Sequence, residues 1–223
     1  MTEPARVVLT RARGGNDELA GRLRASGLEV VECPLIRIEP LDGPRVETAG
    51  YDWLVLTSRV AAELVFARLD GPLPHVAVIG PGTAEAVRTQ GIEPALVARR
   101  STQEGLLAEL PVPAGRVLFA AAEDARPLLP TELAADVLTL YRTVPEDIPE
   151  LPDGDLFVLA SASAAKALAA LGVAAPCVTI GPVTSAEARA GGLDVVEEAE
   201  THDLDGLTAA VKLVASRIAS SRS

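Results

Sequence analysis

Asp52-Trp53-Leu54-Val55-Leu56-Thr57-Ser58-Arg59-Val60-Ala61-Ala62 reads as a strand that stops at two hydroxyl residues and turns into a helix. Four consecutive apolar residues bounded by Asp52 and Thr57-Ser58 fit a strand covered on both faces, and the spacing from Val60 to Leu69 is helical. The pattern returns 103 residues later as Asp155-Leu156-Phe157-Val158-Leu159-Ala160-Ser161-Ala162-Ser163-Ala164-Ala165. At an offset of 101, Ile79-Gly80-Pro81, Thr83 and Gly91 match Ile180-Gly181-Pro182, Thr184 and Gly192, and Gly105-Leu106 matches Gly206-Leu207. A weaker third match pairs Arg6-Val7-Val8-Leu9 with Arg116-Val117-Leu118-Phe119. Repeats of about 100 residues are longer than solenoid modules, and each holds enough strands and helices to close its own core. The chain therefore reads as two related lobes with a cleft between them.

Working outward, short apolar runs fall near residues 6–10, 29–33, 53–57, 76–79, 95–97, 116–120, 137–141, 155–160, 177–180 and 194–197. Helical spacing fills many of the gaps, as in Glu18 to Ser26, Thr83 to Gln90, Gln103 to Leu110 and Ser163 to Leu171. Alternation of strand and helix predicts an α/β fold of parallel sheets flanked by helices. Pro34 to Gly50 and Arg142 to Gly154, rich in proline, glycine and charge, read as the connectors.

Composition narrows the function. With 20 basic and 31 acidic side chains the net charge is −11, which argues against a broad electrostatic grip on nucleic acid or an anionic membrane. The basic set is 18 Arg with only Lys166 and Lys212, so an anion would be met by guanidinium forks and backbone amides. Cys33 and Cys177 form no C-x-x-C pair and read as reduced core residues. The opening residues run straight into Val7-Val8-Leu9 without a signal-peptide core, which predicts a cytoplasmic address. His75 and His202 have no Cys or His nearby in sequence, so no metal site is expected.

The chemistry-bearing residues collect where strands end and helices begin. Thr57-Ser58, Gly80-Pro81-Gly82-Thr83, Ser161-Ala162-Ser163 and Gly181-Pro182-Val183-Thr184 are such turns. Free amides at the positive end of a helix suit carboxylate or phosphate, and in open parallel sheets ligands bind at the carboxyl ends of strands. Read singly, each turn is equally a serine or threonine helix cap. Their recurrence at matched places favours a shared anion-binding rim. The first glycine turn departs from a dinucleotide fingerprint, because Glu85 occupies the third-glycine position and Arg100 stands where an acidic residue would bind ribose. Tyr141, in Leu140-Tyr141-Arg142-Thr143, ends a strand where its phenol can donate a proton.

Together Val8-Leu9-Thr10-Arg11, Cys33-Pro34-Leu35-Ile36, Leu56-Thr57-Ser58, Ile79-Gly80-Pro81-Gly82-Thr83, Leu140-Tyr141-Arg142-Thr143 and Ile180-Gly181-Pro182-Val183-Thr184 resemble the uroporphyrinogen-III synthase family, in order and over nearly the whole length. The resemblance implies one domain from residues 1–36 plus 146–223, a second from 39–142, and connectors near 34–39 and 142–147. It implies cyclisation of hydroxymethylbilane to uroporphyrinogen III with inversion of the last pyrrole ring, without metal or organic cofactor. Tyr141 would then be catalytic, assisting departure of the hydroxyl. Arg11, Thr57, Ser58, Gly80, Thr83, Ser161, Ser163, Gly181 and Thr184 would bind the substrate, a linear tetrapyrrole polycarboxylate. A monomer is expected, with room for transient contact with the preceding enzyme of the pathway. One departure stands out: Ala120-Ala121-Ala122-Glu123-Asp124 replaces a turn where family members often carry Arg and Gly, and the next helix looks shortened before Val137. Two rivals share the same motifs: a two-lobed small-anion or tetrapyrrole binding protein without catalysis, and a divergent family member that has lost activity.

Overall fold

The computed structural model describes residues 4–222. In chain order its elements are β1 (Arg6–Leu9), α1 (Asp17–Ala25), β2 (Glu29–Glu32), β3 (Ile36–Pro40), β4 (Val46–Glu47), β5 (Trp53–Leu56), α2 (Arg59–Val65) with a 3-10 turn at Phe66–Arg68, β6 (Leu69–Asp70), β7 (His75–Val78), α3 (Pro81–Arg88), β8 (Leu96–Val97), α4 (Gln103–Glu109), β9 (Val117–Ala122), α5 (Leu128–Glu132), β10 (Asp136–Pro145), β11 (Leu156–Leu159), α6 (Ala162–Ala170), β12 (Pro176–Thr179), α7 (Pro182–Ala190), β13 (Asp194–Glu198) and α8 (Leu204–Ser221). They divide into two compact units. One takes the chain up to Arg37 and again from Val144, and the other is Ile38–Thr143.

In the discontinuous unit the strand order is β13-β12-β11-β1-β2, with parallel pairing throughout. Adjacent residues of β1 serve opposite faces. Val7 and Leu9 pack with Leu19 and Leu23 of α1 and Leu207 and Val211 of α8, whereas Val8 packs with Ala164 and Leu168 of α6 and Ala188 of α7. The middle unit has the order β3-β10-β9-β5-β7-β8, parallel from β10 to β8, beside a small β4–β6 ribbon. Leu54 and Leu56 of β5 face Ala61 and Val65 of α2 and Val87 of α3, and Val55 faces Leu106 of α4 and Leu129 of α5. Each fully buried Leu or Val contributes about 1.5–3 kcal/mol. Helices on both faces therefore account for the continuous apolar runs of the strands.

All three segments of the repeat have structural counterparts. Asp52 N–H donates to Arg116 O at 2.8 Å while its Oδ2 accepts from Arg116 N–H at 2.8 Å. Asp155 makes the same pair with Arg6, again at 2.8 Å and 2.8 Å. The weak match between Arg6-Val7-Val8-Leu9 and Arg116-Val117-Leu118-Phe119 thus marks equivalent strands, each locked at its start to the neighbour that opens with Asp.

The connectors are more regular than their composition suggests. β3 occupies Ile36–Pro40, and β10 continues through Arg142 to Pro145. The two are neighbours in the sheet, and Leu41 N–H donates to Leu140 O at 2.8 Å, so pairing supplies the hydrogen bonds that loop backbone would otherwise take from water. α5 spans only five residues after the alanine-rich end of β9.

Candidate functional site

In the middle unit the predicted residues lie beyond the carboxyl ends of β5 and β7. Ser58 caps α2, its Oγ accepting from Ala61 N–H at 3.0 Å, and the same Oγ lies 2.9 Å from Tyr141 Oη. Tyr141 arrives there because the β10–β9 register slips between Thr139 and Tyr141. Without the slip, Tyr141 would face away from Leu138 and Leu140; with it, all three join one core cluster. Only 6% of Tyr141 is exposed. Thr57 is half-buried at the end of β5.

Gly80 and Thr83 form the entry to α3. Gly80 caps it without a side chain, Pro81 takes the first helical position, and the first helical bond runs from Ala84 N–H to Gly80 O at 3.0 Å. Gly82 and Thr83 therefore present amides that no side chain caps. In the discontinuous unit Gly181, Pro182, Val183 and Thr184 repeat this at α7, with Ser185 N–H bonding Gly181 O at 3.0 Å. Thr83 and Thr184 are buried, and neither hydroxyl has a hydrogen-bond partner among the described residues. This separates the hydroxyls into two kinds. Ser58 and Ser161 cap their own helices, Ser161 accepting from Ala164 N–H at 3.2 Å, whereas Thr83 and Thr184 sit unbonded at helix starts left open.

Ser161, Ser163, Gly181, Thr184 and Arg11 follow β11, β12 and β1, which are adjacent in their sheet, so one edge of that sheet gathers them. Sequence reading missed two neighbours. A Cβ on Gly80 would lie 2.3 Å from Ser101 Oγ, and one on Gly181 would lie 2.9 Å from the His202 ring. The 101-residue offset that pairs the glycines also pairs Ser101 with His202, which places His202 at the α7 entry.

Burial pushes the Tyr141 phenol above its ordinary value, the Ser58 hydroxyl draws it back, and the Asp124 carboxylate adds to the rise. The neutral, proton-bearing form is therefore the one held at neutral pH. Glu123 and Asp124 are exposed in the turn after β9, yet Glu123 N–H donates to Tyr141 O at 2.9 Å, so this acidic turn borders the tyrosine. Among the described residues no three His, Cys, Asp or Glu are grouped to hold a metal, and no helix is long and apolar enough to cross a membrane.

A family model described as uroporphyrinogen-III synthase HemD matches residues 17–209. The chain belongs to the uroporphyrinogen-III synthase family. Among curated members of that family it is 33% identical to the uroporphyrinogen-III synthase of Synechococcus elongatus over 133 residues, covering 52% of this chain and 50% of that protein. It is also 33% identical to the chloroplastic uroporphyrinogen-III synthase of Oryza sativa subsp. japonica over 88 residues, covering 36% of this chain and 29% of that one. The match thus spans about half the length of the first relative or less. A solved uroporphyrinogen III synthase mutant from the extremely thermophilic bacterium Thermus thermophilus superposes with a TM-score of 0.63 at 20% identity, covering 96% of this chain and 99% of that one. That likeness establishes the shared two-domain α/β fold.

Proposed function

We propose that the protein cyclises hydroxymethylbilane to uroporphyrinogen III, inverting the last pyrrole ring. The observation that carries this reading is the family match over residues 17–209. The geometry agrees with its chemical demands. A substrate with carboxylates around its rim needs donors gathered locally in a protein of net charge −11. Each unit offers such donors at its own strand ends: the open amides of Gly82 and Thr83 with the Thr83 hydroxyl in one, and those of Val183 and Thr184 with the Thr184 hydroxyl and the Arg11 guanidinium in the other. Thr57 follows β5 in one unit and Ser163 follows β11 in the other, and Gly80 and Gly181 start α3 and α7 without a side chain. Departure of the substrate hydroxyl as water needs one proton, and Tyr141, kept neutral by burial, is the donor.

The test supplies freshly generated hydroxymethylbilane and separates the product isomers. The expected result is the type III isomer, where a protein-free control gives type I; no excess of type III over that control defeats the reading and leaves a binding protein. Tyr141→Phe should lower turnover by about tenfold or more. Full turnover with unchanged isomer purity in that variant would remove Tyr141 from the mechanism. The same reading makes the protein a cytoplasmic monomer that takes its substrate from the enzyme releasing it, and elution at twice the monomer mass would refute the monomer.

A further inference from the structure

The position of Ser58 singles it out among the hydroxyls of the site. A serine oxygen has one hydrogen and two lone pairs. Ala61 N–H takes one pair, and the 2.9 Å contact with Tyr141 Oη takes either the hydrogen or the other pair. Among the described residues neither hydroxyl has a further partner, so one hydroxyl hydrogen is left over in either orientation. If Tyr141 donates to Ser58, the spare hydrogen is serine's, which is far less acidic. If Ser58 donates to Tyr141, the spare hydrogen is the phenol's. Ser161 makes the same cap in the other unit without a tyrosine beside it, so capping alone does not call for the pairing. The register slip in β10 is what brings the phenol to the serine.

We infer that Ser58 is a positioning residue: it donates its hydrogen to Tyr141 Oη and so leaves the phenol O–H as the one proton the pair can give to a departing hydroxyl. This rests on the cyclisation reading. Ser58 then acts through Tyr141 and is not itself a substrate contact.

The experiment uses the full chain with Tyr51→Phe, which leaves Tyr141 as its only tyrosine, and 3-fluorotyrosine incorporation, which gives one fluorine signal and a more acidic phenol. Ser58→Gly keeps a tolerated helix cap without the hydroxyl, and Ser58→Thr keeps both. Ser58→Gly is expected to lower kcat about tenfold with KM within about twofold, and Ser58→Thr to recover most of the loss. The phenol's ionisation, followed by the fluorine shift, should move to higher pH in Ser58→Gly and return in Ser58→Thr. An unchanged kcat in Ser58→Gly overturns the inference, as does a lost kcat with the phenol titration unmoved. If the Tyr51→Phe parent forms no type III isomer, the cyclisation reading fails instead, and the fluorine titration alone then decides whether Ser58 orients the phenol.

Discussion

Thr83 and Thr184 take no part in capping their helices. Each is buried, each stands at the start of a helix whose cap is glycine, and neither hydroxyl has a partner among the described residues. Neither hydroxyl oxygen is among the buried polar atoms without a partner in the described residues, so each reaches solvent, and removing it breaks no hydrogen bond within the protein. Thr83→Val and Thr184→Val should therefore melt at or above the temperature of the parent protein while raising KM for hydroxymethylbilane several-fold. A fall in melting temperature with KM unchanged would make both hydroxyls structural. These threonines were legible as site candidates because the repeat aligned them. That they differ from Ser58 and Ser161 was not legible, since all four are hydroxyl residues near a helix start. The difference comes from Pro81 and Pro182 fixing where α3 and α7 begin. The Ser58–Tyr141 pair was hidden for another reason: nothing in Thr139-Leu140-Tyr141 announces that the register will slip there.

The strands were readable because a parallel sheet covered on both faces needs uninterrupted apolar runs, and Leu54-Val55-Leu56 and Leu156-Phe157-Val158-Leu159 supply them. β3 was not, because Pro34, Pro40 and Pro44 marked its surroundings as loop and its partner in β10 lies about 100 residues on. The paired glycines of the repeat have a steric cause. A Cβ on Gly206 would lie 2.1 Å from Thr201 O, and one on Gly105 would lie 2.3 Å from Arg100 O, at helix starts capped by Asp203 and Thr102. Gly206→Ala should cost about 1–3 kcal/mol in denaturant unfolding, since backbone must move to admit the methyl. Gly21, inside α1, would place a Cβ with nothing within 4 Å. Gly21→Ala should stabilise by about 0.5–1 kcal/mol, and equal effects of the two substitutions would break the argument.

At the scale of the molecule, both cysteines belong to the discontinuous unit. Burial pushes the Cys33 thiol up, and burial with the nearby Asp194 carboxylate pushes Cys177 to about 12. Native protein at pH 8 should therefore react slowly with an aromatic disulfide reagent, at a rate set by opening of that unit. Cys177 also carries a pH dependence. Below the ordinary thiol range both states keep the proton. Between that range and about 12 the unfolded chain loses it while the folded chain does not, so stability falls as pH rises through this window. Cys177→Ala should flatten that alkaline decline in urea midpoints, and an undiminished slope would place the loss elsewhere.

β1 lies inside its sheet, between β11 and β2. During synthesis on the ribosome, β1 waits with one side unpaired until residues beyond 155 emerge. By then every strand of the middle unit has already left the tunnel. Growth of the chain thus sets an order, with the middle unit closing early and the discontinuous one completed later, when β11 reaches β1. A chain stopped before β11 would leave an apolar Val7-Val8-Leu9 edge unpaired in a chain whose middle unit is already folded, which makes such truncation more damaging to solubility than loss of the same number of surface residues.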